Sequence, residues 1–174
     1  MNRLQLATLL SWANDNGLQG RKRLQKVVYF LQEAGCPLDC RYTLHYFGPY
    51  SREVADRCDE MVAAGLLTET IEQPSGLTQY TYALSPAIRE IVAQESDCKM
   101  EPFRDLGTEL MDPAKTHLWW LELGSTILFF RRQPNDWDHA FARACEFKKV
   151  KAEDAANQKA FELAKRLHEN TGND

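Results

Sequence analysis

HYFGPYSREVADRCDEMVAAGLLTETIEQPSGLTQYTYALSP, residues 45 to 86, reads as a turn, a helix stopped by glycine, two short strands and the start of a further helix. Gly48-Pro49 breaks what precedes it, and Ser51 is placed to cap a helix over about Arg52 to Ala64. Val54, Cys58, Met61 and Val62 fall on one face of that helix at 100° per residue. Gly65 ends it, because glycine enters the left-handed conformation at C′ without a Cβ penalty. Leu66 to Gln73 and Thr78 to Leu84 are rich in strand formers, with Pro74-Ser75-Gly76 as the loop of a hairpin. Ser85-Pro86 then offers a cap and a first helical residue. That order is the second half of a winged helix.

Working outward, residues 2 to 14 form a first helix with Leu4, Leu6, Leu9, Leu10 and Ala13 as its apolar positions, ended by Gly17. A second helix runs from near Gly20 to Ala34, with Leu24, Val27, Val28 and Leu31 toward the core. Lys22, Lys26, Tyr29 and Glu33 lie on its other side, with Arg21 just before them. Tyr42 to Phe47 is a short extended segment leading into the Gly-Pro turn. Beyond the hairpin, Ala87 to about Ser96 is helical through Ile88, Ile91 and Val92, and Pro102 and Pro113 bracket a shorter piece. Ala114 to Arg132 is a helix apolar almost all round, so it is buried on most sides or partly covered by another chain. Gly124 in its middle costs helix propensity, which points to a close backbone contact there. Gln133 to Asp136 is a turn, Trp137 to about Glu146 a helix, and Glu153 to His168 a last helix with Ala156, Ala160, Leu163, Ala164 and Leu167 on one face. Residues 169 to 174 are expected to fray. The expected class is mainly α with a small β-hairpin, α+β: a winged-helix-like domain over residues 1–98 and a helical extension, 99–174, packed on it.

Composition narrows function by exclusion. With 174 residues, 44% hydrophobic, 26% charged and a formal net charge of −4, the chain has the balance of a soluble globular protein and not of a general polyanion binder. The start lacks the pattern of a signal peptide, and the apolar run from Leu118 to Phe130 is too short to span a bilayer, so the expected place is the cytoplasm, with no membrane partner. Five cysteines at irregular spacing fit free thiols. Cys36 and Cys40, with Cys58 and His45, lack the second closely spaced ligand pair of a zinc site, and Cys58 sits on an apolar helix face. No metal and no cofactor is expected.

Leu24-Gln25-Lys26-Val27-Val28-Tyr29-Phe30, then His45-Tyr46-Phe47-Gly48-Pro49-Tyr50-Ser51 and the strand entry at Leu66, resemble the YwgA-like family and, more distantly, the Panacea domain of SocA-type antitoxins. Leu121-Glu122-Leu123-Gly124-Ser125-Thr126-Ile127 is similar to a later segment of the family, so the resemblance extends over most of the chain. For the Panacea group it implies a module that neutralises a partner toxin, in some cases by delivering it to a protease. It carries over no catalytic residues.

Three readings follow. A DNA-binding regulator would place the Arg52 to Ala64 helix in the major groove with the hairpin as a wing. Its outward arc, however, holds Glu53, Asp56, Asp59 and Glu60 against Arg52, with Arg57 on the flank, and such a face repels phosphate. Arg21, Lys22, Arg23 and Lys26 on the second helix are the other basic surface, where a solvated helix face is the plainer explanation. Tyr46, Phe47 and Tyr50 are read as core before a stacking platform. A protein-interaction module, antitoxin-like or a subunit of a regulatory or defence assembly, conflicts least with these residues and stands first. Its partner would be a toxin or complex subunit, with self-association also open, and Trp119-Trp120 and Phe129-Phe130 are core or interface. An enzyme stands last: His45, His117, His139 and His168 are scattered, and Glu122 in an apolar helix more often pairs with an arginine or caps a backbone group than marks an active site. No catalytic residue is assigned. The candidate contacts to a partner or nucleic acid are Arg21, Lys22, Lys26, Tyr29, Tyr50 and Arg52.

Overall fold

A computed structural model describes residues 1–14, 17–73, 76, 78–95, 98–132 and 136–169, the side chains of His168 and Glu169 excepted. The chain is mainly helical with small antiparallel sheets, an α+β fold. In chain order the elements are α1 (Arg3–Ser11), β1 (Leu18–Gln19), α2 (Arg21–Glu33), β2 (Thr43–His45), β3 (Gly48–Tyr50), α3 (Arg52–Ala63), β4 (Leu67–Glu72) and β5 (Gln79–Leu84). There follow α4 (Pro86–Glu95), a 3-10 turn (Glu101–Phe103), α5 (Arg104–Met111), α6 (Leu118–Arg131), α7 (Trp137–Lys148) and α8 (Ala155–Glu169). One sheet has the order β1-β5-β4, and β2-β3 is a separate two-stranded ribbon.

Within the deciding stretch, α3 folds as its residues require. Ser51 caps α3 at the amide of Val54, and Val54, Cys58 and Met61 are its buried residues. Gly65, at φ +69°, closes the helix in a Schellman motif: Leu66 donates to the Met61 carbonyl (2.9 Å) and Gly65 to that of Val62 (3.0 Å). A Cβ at Gly65 would meet nothing within 4 Å. Gly65→Val therefore costs the left-handed backbone alone, about 1–2 kcal/mol, seen as a melting temperature lowered by a few degrees; an unchanged value would place the helix end elsewhere.

Several expectations need correction. α1 starts on a capping box between Asn2 and Gln5 but ends at Ser11, not 14, as Trp12 and Ala13 bond back to Leu9 and Leu10 in a tighter turn. The chain then enters β1, which pairs Leu18 with Tyr82; two residues carry no alternation to read beforehand. Gly48-Pro49 is not the turn: Tyr46-Phe47 makes it, and Gly48 pairs with His45 and Pro49 with Leu44. Proline is tolerated there because the ribbon has only two strands. Ile91 is largely exposed, and on α8 it is Asn157, not Ala156, that turns inward, its carbonyl accepting from the Trp119 indole at 2.7 Å. The loop at Pro74-Ser75, the turn at Gln133-Pro134-Asn135 and residues 170–174 lie outside the described residues.

α2 differs most from its sequence reading. Every residue from Arg23 to Leu31 is buried, including those assigned to a solvated side. The helix is held by β1, α3 and β3 toward the N-terminal elements and by α5, α6 and α8 from behind. α6 is the post behind it: Leu121 to Leu128 are all buried. At Gly124 a Cβ would stand 3.0 Å from the Ala160 carbonyl oxygen of α8, the close contact its sequence position called for.

Candidate functional site

The sequence places four cations at the start of α2, and the fold gives each a different task. Arg21, just after Gly20, bonds the Glu69 carboxylate at 2.7 Å and covers the Tyr80 ring at 4.4 Å. That hydrogen bond raises the guanidinium above its ordinary value. Burial alone would lift Glu69, but hydrogen bonds from Tyr82 (2.6 Å) and Arg21 hold it below the usual carboxylate range. Arg23 is a clamp: its Nη1 donates to the carbonyls of Leu110 (2.8 Å) and Thr116 (2.9 Å), tying α2 to the end of α5 and the start of α6's approach. Gln25 exchanges two hydrogen bonds of 2.9 Å with the backbone of Ser51, fixing the head of α3 against α2.

Lys22 and Lys26 frame a pocket of about 370 Å³ between α2, the β2-β3 ribbon and α3. Lys22 is half exposed, its ammonium 3.6 Å from the centroid of Phe47 and 3.9 Å from Glu122 Oε2. Lys26 is only 2% exposed and donates to the Pro49 carbonyl at 2.6 Å, its one hydrogen bond among the described residues. Burial pushes its ammonium down to about 7, helped by Lys148 and Lys22 and opposed by Glu122. Glu122 pairs with lysines and not with an arginine: Lys148 Nζ stands 2.7 Å from its Oε1 and also donates to the Tyr46 carbonyl at 2.7 Å. Burial pulls Lys148 downward as well, against the hydrogen bond it donates to Glu122.

Because a lysine ordinarily titrates near 10.5, the unfolded chain keeps a proton between pH 7 and that value which folded Lys26 releases. Stability contributed by this site therefore rises with pH across that window. Denaturant titrations are expected to show wild type gaining on Lys26→Met from pH 7 to pH 10; a constant difference would mean that the amine is solvated.

Of the expected contacts, Arg21, Lys22, Lys26 and Tyr50 come together around this pocket. Tyr29 does not: it is wholly buried, edge-on to Tyr42 at 4.8 Å, with burial pushing its hydroxyl up, because its side of α2 faces the interior and not solvent. Arg52 lies apart on α3, held by Asp56 at 2.8 Å. The basic second-helix surface is thus reduced to Arg21 and Lys22, Arg23 and Lys26 being buried. The core reading of the ribbon aromatics also fails, with Tyr46 79% and Phe47 45% exposed. His45, Phe47 and Tyr82, which also line the pocket, come from two strands and a turn that only the fold brings beside α2. Cys36, Cys40 and Cys58 are buried while His45 is exposed, and among the described residues no group of three His, Cys, Asp or Glu is placed to hold a metal ion.

The outward arc of α3 is not the bare acidic face its sequence suggested. Glu53 binds Arg41 (3.1 Å), Asp56 binds Arg52, Asp59 faces Arg21 at 3.8 Å, and Glu60 binds both Arg3 and Arg57. Arg3, Arg21 and Arg41 arrive from other elements, where a helical wheel cannot count them.

No family model matches the chain. Uncharacterized protein YwgA of Bacillus subtilis is 31% identical to it over 125 residues, covering 71% of this chain and 73% of that protein. The chain belongs to the YwgA family. For this YwgA-family protein the relationship carries descent and no activity. Among the described residues no helix is long and apolar enough to cross a membrane.

Proposed function

We propose that this YwgA-family protein is a non-enzymatic, winged-helix-like interaction module of the cytoplasm, antitoxin-like or a subunit of a regulatory or defence assembly. The winged-helix reading draws on β1 pairing beside the β4-β5 hairpin, with α2 and α3 preceding that hairpin. One observation carries the interaction reading: the tip of the β2-β3 ribbon holds Tyr46 and Phe47 out in solvent, ring centroids 5.1 Å apart. Phe147, also exposed, flanks the same spot, with the Lys148 ammonium 5.7 Å from its ring and 5.8 Å from that of Tyr46. Exposed aromatics are the anchors of a protein interface, and the half-exposed Lys22 over Phe47 suits a partner surface bearing carboxylates. The resemblance to SocA-type antitoxins points the same way, with a toxin as partner.

The alternative is a DNA-binding regulator. Pairing of the α3 carboxylates with arginines removes the repulsion that counted against it, yet the same pairing leaves those guanidiniums engaged. Affinity capture from the native cell, with and without nuclease, separates the two. A stoichiometric protein is expected to survive nuclease and to be lost, by tenfold or more, with a Tyr46→Ala, Phe47→Ala double variant. Recovery of nucleic acid alone, or capture indifferent to the double variant, would overturn the proposal.

A further inference from the structure

From the geometry between α2, the β2-β3 ribbon and α3, we infer a binding site for a small organic anion: an acidic headgroup on Lys22 and Lys26, carried on a ring-sized apolar body. This goes beyond the protein-partner reading and does not depend on it. The cavity, about 370 Å³, has the size of a small-ligand site and not of a packing defect. Its walls divide chemically. Leu24, Ala55 and Cys58 give an apolar floor, and His45, Phe47 and Tyr50 line its ribbon side, the His45 and Tyr50 rings 4.9 Å apart.

The charged end is what selects an anion. Lys26 lines the pocket from a 98% buried position and spends one N–H on Pro49, with no further acceptor and no ion pair among the described residues. An ammonium so placed lacks the charge partner that buried cations otherwise have. Lys22 stands beside it at the mouth, held over Phe47. The one carboxylate nearby, Glu122, is already taken at 2.7 Å by Lys148 and stands 3.9 Å from Lys22, which leaves Lys26 no counter-charge in contact with it among the described residues. Asp59, also on the wall, faces Arg21. A ligand anion would supply the missing charge, and a ring would fill the floor that a bare inorganic ion leaves empty.

Isothermal titration of the full chain with phenyl phosphate and with benzoate tests this, the two arms separating a phosphate from a carboxylate headgroup. At least one is expected to saturate with Kd on the order of 100 μM. Inorganic phosphate, acetate and benzyl alcohol, each lacking one half of the ligand, should bind at least tenfold more weakly. Lys26→Met and the exposed-site variant Lys22→Ala should each weaken binding tenfold or more; Lys22→Ala keeps the test valid if Lys26→Met fails to fold. Failure of both aryl anions to saturate, unchanged affinity in Lys22→Ala, or equal affinity for inorganic phosphate would overturn the site as drawn.

Discussion

Gly48→Val is expected to destabilise the fold by about 4 kcal/mol, lowering the melting temperature by roughly 10 °C. Two costs combine. Gly48 sits at φ +86°, where a β-branched residue is strained, and an added Cβ would stand 2.7 Å from Thr126 Oγ1 and 3.2 Å from the Glu122 carbonyl oxygen. The second of these is helix backbone in the middle of α6 and cannot swing aside. The ribbon would have to lift, taking with it the Pro49 carbonyl that holds Lys26. Denaturant unfolding measures the loss, and a change below about 1 kcal/mol would mean that the ribbon does not lie against α6.

Arg23→Ala is expected to cost about 3 kcal/mol by the same measurement. Its guanidinium is buried and bonds two carbonyls from separate segments, Leu110 and Thr116. Truncation leaves both acceptors without their donor and opens space behind α2. Arg23→Lys should recover only part of the loss, because both bonds come from Nη1 and the shorter lysine side chain sets its ammonium one bond short of that position. Full recovery by lysine would show that any cationic nitrogen on this helix reaches the two carbonyls and that the guanidinium itself is not required. A loss under about 1 kcal/mol in the alanine variant would mean that water satisfies the carbonyls.

Local chemistry was legible wherever a residue decides its own conformation. Ser51, Gly65 and the spacing of Val54, Cys58 and Met61 bound α3 to within a residue of its observed ends. The apolar circumference of α6 and the glycine at its centre foretold a buried post with a close neighbour. What failed depended on partners remote in sequence. Periodicity assigned Lys26 and Tyr29 to an outer side of α2, but α6, more than ninety positions on, covers that side and makes it interior. Lys148 and Glu122 meet only because α7 folds back on α6. Tyr46 and Phe47 were misassigned for the opposite reason: aromatic residues are usually core, and nothing local says that a two-residue turn holds them outside.

The pairing of carboxylates and arginines along α3 has a consequence at distances where no contact exists. With Glu69 beside them, Glu53, Asp56, Asp59 and Glu60 are matched by Arg3, Arg21, Arg41, Arg52 and Arg57 at 3.8 Å or less, so their fields cancel a short way into solvent. Each exposed pair adds little to stability. Together they make one flank of the molecule electrically quiet beyond the Debye length of about 8 Å. An approaching charged molecule is then guided not by the helix richest in ionised groups, but by Lys22 at the pocket mouth, whose nearest carboxylate Lys148 already holds.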